Sequence, residues 1–221
     1  MDPVIHINGQ KKAASRALRQ ALNQQPATID NPEDYLTSAV LLPLLEVQGE
    51  TCILFEIRSA ELARQPGEIC FPGGRIEAVD PSPAAAALRE TSEELGIGQD
   101  TIEFLGPMNY LISPIGVILY PFVGYLRQPE DVCPNPREVA RTFTVPLNYL
   151  LNHRPVIGQM ELASRPLPDF PLYLLDRYSN GWKRRTQYPV WFYQYEDQVI
   201  WGLTARILYS FLEKIRLLGD L

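Results

Sequence analysis

The chain has 221 residues, of which 46% are hydrophobic and 21% charged, and its formal net charge is −6. That length suits one enlarged α/β domain with a real apolar core, and the composition excludes a low-complexity or disordered chain. The negative balance excludes the broad basic surface that nucleic-acid binding needs, so a phosphate-rich ligand must be met by local cations or a metal. Residues 10–25 are rich in helix formers, and Ala14, Leu18 and Leu22 recur at i+4, predicting an N-terminal amphipathic helix ended by Pro26. The predicted division is a helical extension over residues 1–35 and a main domain over residues 36–221.

Two apolar runs, Ser38–Val47 and Thr51–Ile57, flank Gln48-Gly49-Glu50 and predict a hairpin of buried strands. A turn-rich loop then ends in Phe71-Pro72-Gly73-Gly74, and Pro81 and Pro83 punctuate the entry to a helix over Ala84–Leu95. Ser82 is the expected N-cap, Pro83 the first helical residue and Gly96 the left-handed residue past the end. Strands are predicted at Ile102–Ile112, Val117–Leu126 and Val139–Val145, with a short helix at Leu147–Asn152. Residues 154–187, rich in aromatics and carrying Pro155, Pro166, Pro168 and Pro171, read as a loop or strand excursion. Pro189–Tyr195 predicts a strand, and Leu203–Leu218 a helix with Leu203, Ile207, Phe211 and Ile215 along one side.

Cys52, Cys70 and Cys133 form no CxxC pair, and with only His6 and His153 beside them they read as reduced structural thiols rather than zinc ligands. Residues 1–12 lack the apolar stretch of a secretory leader, and Val40–Leu45 and Val117–Leu126 are too short to span a bilayer. A cytoplasmic protein with no membrane and no nucleic-acid partner is the expectation.

The chemistry concentrates in Arg89-Glu90-Thr91-Ser92-Glu93-Glu94-Leu95-Gly96. At about 100° per residue, Glu90, Glu93 and Glu94 share one helix face, and Ala84, Ala87, Leu88, Thr91 and Leu95 the other. Like charges at i, i+3 and i+4 each destabilise a helix by roughly 0.2–0.5 kcal/mol, so a compensating cation is expected. Hard oxygens at this density suit Mg²⁺ or Mn²⁺, which can also bridge diphosphate oxygens, and Arg89 can hold Glu93 at i+4. Paired glutamates on a helix are commonly a solvated face, and what sets these apart is Gly73 and Gly74 upstream, where backbone can approach a metal or phosphate closely.

Written out, Gly74, five residues, Asp80, eight residues, Arg89-Glu90, two residues, Glu93-Glu94, one residue, Gly96-Ile97 resembles the Nudix box. Asp80 stands where the box has Glu, one extra residue precedes Arg89, and Thr91 replaces an aliphatic. The resemblance implies a Nudix α/β/α sandwich with a mixed sheet, a divalent cation held by Glu90, Glu93, Glu94 and the Gly73 carbonyl, and a catalytic group that includes Arg89. Family members often add a later glutamate. Glu138, standing before a strand, is the candidate fourth ligand or general base, against its reading as an ordinary surface glutamate.

Leu54-Phe55-Glu56-Ile57-Arg58-Ser59, then Arg64, Gly67 and Phe71-Pro72-Gly73-Gly74, is similar to the segment that marks coenzyme A pyrophosphatases among Nudix proteins. Ala63 occupies the position where an arginine is expected, with Arg64 next to it, and Gln65-Pro66-Gly67 replaces a His-Ala-Gly type sequence. The likeness implies hydrolysis of coenzyme A or its derivatives, with Arg58, Arg64 and Gly74 at the substrate and a small-molecule nucleotide as the partner. It leaves open a homodimer, and whether Lys183, Arg184 and Arg185 meet the 3′-phosphate or form a solvated basic loop. The competing readings are a Nudix pyrophosphatase for ADP-ribose or dinucleoside polyphosphates, and a Nudix-like module that senses a nucleotide without cutting it.

Overall fold

A computed structural model of the chain describes residues 7–24 and 29–219. Contacts divide the chain into two units, residues 1–35 and 36–221. In the first, helix α1 spans Ile7–Asn23 and a 3-10 turn covers Pro32–Asp34. Pro26, the expected helix stop, lies outside the described residues.

The second unit opens with β1 (Leu36–Val47) and β2 (Glu50–Arg58), an antiparallel hairpin whose ends pair Val47 with Glu50. Gln48 and Gly49 both have positive φ, 53° and 82°, the geometry that two-residue hairpin loops demand. Two short strands follow: β3 (Ile69–Cys70) pairs with β2, and β4 (Gly73–Arg75) pairs with β1. Helix α2 (Pro83–Leu95) leads to β5 (Ile102–Pro107), β6 (Leu111–Ser113) and β7 (Val117–Leu126). Both β5 and β6 run antiparallel to β7, which in turn lies parallel to β1. With β8 (Val139–Pro146) antiparallel to β2, these strands make one mixed sheet with β1 and β2 inside it.

Strand β1 is apolar almost continuously because it is covered on both faces. On one side Leu42, Ile53 and Phe55 pack with residues of α3 (Leu147–Asn152) and α4 (Gly202–Leu218). On the other, Ala39, Leu41, Leu45, Cys52 and Leu54 pack with Ala86, Ala87 and Leu95 of α2. The result is an α/β/α sandwich. Ile207, Leu208, Phe211 and Leu212 of α4 are all buried, each stabilising the fold by roughly 1.5–3 kcal/mol, with Leu203 and Ile215 partly covered.

One expectation needs correction and one is decided between its alternatives. The single run Ile102–Ile112 is split, since Gly106 takes a φ of 146°, the register slips between Phe104 and Gly106, and Pro107 ends β5. Of the loop and strand readings of residues 154–187, the structure gives strands at both ends: β9 (Val156–Ser164) pairs antiparallel with β10 (Lys183–Tyr195), with β11 (Gln198–Trp201) on the other edge of β10. Pro189 is tolerated inside β10 because β11 covers only Phe192–Tyr195, so at Pro189 the strand has one neighbour, β9, and one free side.

Candidate active site

Helix α2 is fixed at both ends by its own sequence. Ser82 Oγ accepts from the Ala85 amide at 3.2 Å, Pro83 opens the helix, and Gly96, at φ 65°, returns its N–H to the Ser92 carbonyl. Thr91 is fully buried, and its hydroxyl donates to the Ala87 carbonyl at 2.7 Å, which is how a polar residue occupies the aliphatic place in the box.

The register then presents the carboxylates unequally. Glu94 is only 5% exposed, and its Oε2 accepts from the Gly73 amide at 2.7 Å. Glu90 lies against Gly74 so closely that a Cβ added there would collide with its carboxylate. Glu93 is turned outward, its side chain 56% exposed, and meets Arg89 at 3.3 Å. The glycines also have a packing role. Gly73, at φ 146°, sits where a Cβ would lie 2.6 Å from Val40 Cα, so only glycine lets β4 pair with β1 and aim its amide at the helix.

Arg89 ties this group together. It forms a two-pronged ion pair with Asp80, both N···O distances being 3.0 Å, and reaches Glu90 Oε1 at 3.0 Å. Asp80, in the place of the box glutamate, thus acts as the anchor of Arg89, and this contact holds its carboxyl below the usual carboxylate range.

Glu138 is half-buried and approaches from the other side. Its loop is docked by backbone bonds at both flanks: Cys133 and Asn135 amides donate to the Leu95 and Glu94 carbonyls at 2.9 Å, and the Ser59 amide donates to the Glu138 carbonyl at 2.8 Å. Gly96 makes the first contact feasible, since a side chain there would strike the Cys133 carbonyl. Arg58 is half-buried at the end of β2, with its Nε donating to the Arg64 carbonyl at 3.4 Å, while Arg64 is exposed. Lys183, Arg184 and Arg185 lie on β10 and are engaged locally: Lys183 stands 3.4 Å from the Tyr178 ring centre, Arg184 pairs with Glu161, and Arg185 donates to Tyr178 and Ser164 at 2.6 Å.

One acidic group at the site escapes sequence reasoning. Cys52, Leu54 and Glu56 alternate onto the α2 side of β2, and Glu56 is 1% exposed with an Oε1 that has no hydrogen-bond partner. A charged residue inside the otherwise apolar Cys52–Ile57 run was the available signal. Burial, then the neighbouring Glu94, pushes the Glu56 carboxyl well up. Burial likewise pushes Glu94 up to about 8, against the opposing Gly73 hydrogen bond, and raises Glu90, with Glu138 adding to both.

Glu56, Glu90 and Glu94, buried or half-buried and all shifted upward, one of them with an oxygen that has no donor, form a site where full ionisation needs a compensating cation. All the donors are hard oxygens, which fits Mg²⁺ or Mn²⁺. Among the described residues no three Asp, Glu, His or Cys side chains already converge on a single point, so the fit rests on this charge imbalance and on the unpartnered oxygen. A cavity of about 360 Å³ lined by Val47, Cys52, Thr144, Pro146 and Tyr195 lies toward the hairpin end of β2, away from these groups.

Residues 35–160 match the NUDIX domain family. The chain belongs to the Nudix family of pyrophosphohydrolases. It is 34% identical over 179 residues to an uncharacterised Nudix hydrolase, NudL, of Photorhabdus laumondii, covering 81% of this chain and 84% of that one. It is also 39% identical over 125 residues to the peroxisomal coenzyme A diphosphatase NUDT7 of Mus musculus, a match covering 57% of this chain and 52% of that protein. A C. elegans Ap4A hydrolase complex superposes with a TM-score of 0.44 at 18% identity, over 52% of this chain and 83% of that one. Nudix hydrolases use divalent metal ions, in keeping with the donor set here.

Proposed function

We propose that this enzyme hydrolyses the diphosphate linkage of coenzyme A or its acyl or oxidised derivatives, giving 4′-phosphopantetheine and adenosine 3′,5′-bisphosphate. The observation that carries the reaction is the packing of Glu90 and Glu94 against Gly74 and Gly73, which gathers buried carboxylates where a cation would be compensated. The substrate rests on the Leu54–Gly74 segment and on the likeness to a coenzyme A diphosphatase.

Glu90, Glu93, Glu94 and the Gly73 carbonyl would hold Mg²⁺ or Mn²⁺. Bound there, the cation would neutralise charge on the diphosphate oxygens and make water easier to deprotonate. Glu138, steadied between β2 and α2, takes the proton of the attacking water as general base. Arg58 and Arg64, with the Gly74 backbone, meet the substrate phosphates, and Arg89 is a positioning residue that orients Glu90. No helix among the described residues is long and apolar enough to cross a membrane. A cytoplasmic enzyme acting on a small-molecule nucleotide, with no nucleic-acid or membrane partner, belongs to the same reading; it leaves a homodimer open, and sedimentation equilibrium measures the assembly.

The test is incubation with Mg²⁺ and coenzyme A, ADP-ribose and diadenosine polyphosphates in parallel, with products identified by mass. Adenosine 3′,5′-bisphosphate from coenzyme A is the expected result. Cleavage of the other compounds alone would replace the substrate, and binding without any cleavage would replace the enzyme with a sensor.

A further inference from the structure

We infer that Glu56 is a further ligand of the divalent cation, its Oε1 closing the site from the strand side opposite Glu94 of α2. This rests on the reading of the carboxylate cluster given under the proposed function, and goes beyond it by recruiting a residue outside the helix and its glycine loop.

The pattern of β2 makes Glu56 anomalous. Cys52 and Leu54, on the same face of the strand, belong to the apolar core under α2, and a third apolar side chain would continue that core. A glutamate stands there instead, 1% exposed, with Oε1 lacking any donor. Burying an acceptor without a donor is unfavourable, and burying it beside a second carboxylate is more so. The direct cross-strand neighbours of Glu56 are uncharged, Cys70 of β3 and Thr142 of β8, and the cation of β8, Arg141, is paired with Ile57 instead. Arg58, two residues along the same face, directs its Nε to the Arg64 carbonyl.

What is missing must be positive and small. An anionic substrate group brings no donor to the unpartnered oxygen and is repelled by Glu94 beside it, and at 1% exposure no long side chain from a partner can reach it. A divalent ion between Glu56 and Glu94 would satisfy the unpartnered oxygen and convert the like-charge contact into shared ligation. Hard oxygens select the Mg²⁺ and Mn²⁺ class over softer metals.

The test is Mn²⁺ titration by electron paramagnetic resonance, without substrate, of the native protein, Glu56→Gln and Glu94→Gln, with circular dichroism to verify folding. Glu56→Gln should weaken Mn²⁺ binding by about tenfold or more. Equal Mn²⁺ affinity in Glu56→Gln and the native protein overturns the role of Glu56 while leaving the helix site standing. A native protein that binds no Mn²⁺ at millimolar concentration overturns both. If Glu56→Gln does not fold, Mn²⁺-soaked crystals of the native protein decide by anomalous scattering. A peak about 2.1 Å from Glu56 Oε1 supports the assignment, and peaks on the helix carboxylates alone reject it.

Discussion

Helix α2 and the β9–β10 pair sit in the same unit and are specified in different ways. Between Ser82 and Gly96 every determinant is a near neighbour in sequence: the cap accepts from a residue three positions on, and the closing glycine bonds back four. Strands β9 and β10 come together across residues 165–182, and Lys183 finds its place through pairing with Ser164. Local rules can be read one residue at a time. Pairing at a distance depends on a loop whose closure leaves little trace in composition.

The comparison can be broken most sharply at Glu94. Glu94→Gln should reduce turnover by about 100-fold or more with the fold retained, and steady-state kinetics alongside circular dichroism measure both. Gly73→Ala should act on the fold itself, because its φ of 146° and the approach of Val40 leave no room for a Cβ. A loss of about 3 kcal/mol in urea unfolding is expected. Gly74→Ala separates the two effects, since its Cβ would first meet the carboxylate end of the Glu90 side chain rather than backbone. Stability should change little while turnover falls about tenfold.

A fourth measurement uses acidity. Glu94 is raised to about 8 from 4.5, and Glu56 and Glu90 are shifted the same way, so the folded protein keeps protons that the unfolded chain releases. The contribution of these groups to the stability of the metal-free protein is therefore fully present below pH 4.5 and, for Glu94, is lost as pH rises to about 8. Thermal unfolding in chelator across that window should show the decline, and saturating Mg²⁺ should flatten it. The smallest effect belongs to the other region: Arg184→Ala removes an exposed ion pair with Glu161 and should change stability by less than about 0.5 kcal/mol, with turnover unaltered. A turnover defect there would assign β10 to substrate binding.

Much of the site was legible for the same reason that α2 was. The spacing from Arg89 to Gly96 sets the helical register, and Ser82, Pro83 and Gly96 set its ends. The inequality among the glutamates was hidden, because whether Glu93 or Glu94 faces inward depends on where β4 lies against the helix. Asp80 is legible in the sequence as a replacement of the box glutamate, but its grip on Arg89 depends on how the loop before α2 folds back. Glu56 was hidden most completely, since period-two alternation assigns a face to a strand residue but does not say which helix residue stands over it.

The docking of residues 133–138 is made almost wholly by main-chain groups, from Cys133 and Asn135 onto the end of α2 and from Ser59 onto Glu138. Such a seam is indifferent to which side chain stands at position 133 and sensitive to how many residues precede 138. Exchange of Cys133 for another small residue should pass unnoticed, while deletion of one residue between 135 and 138 would turn Glu138, the proposed general base, away from Glu90 and Glu94. In this segment the number of residues, rather than their identity, sets where Glu138 stands.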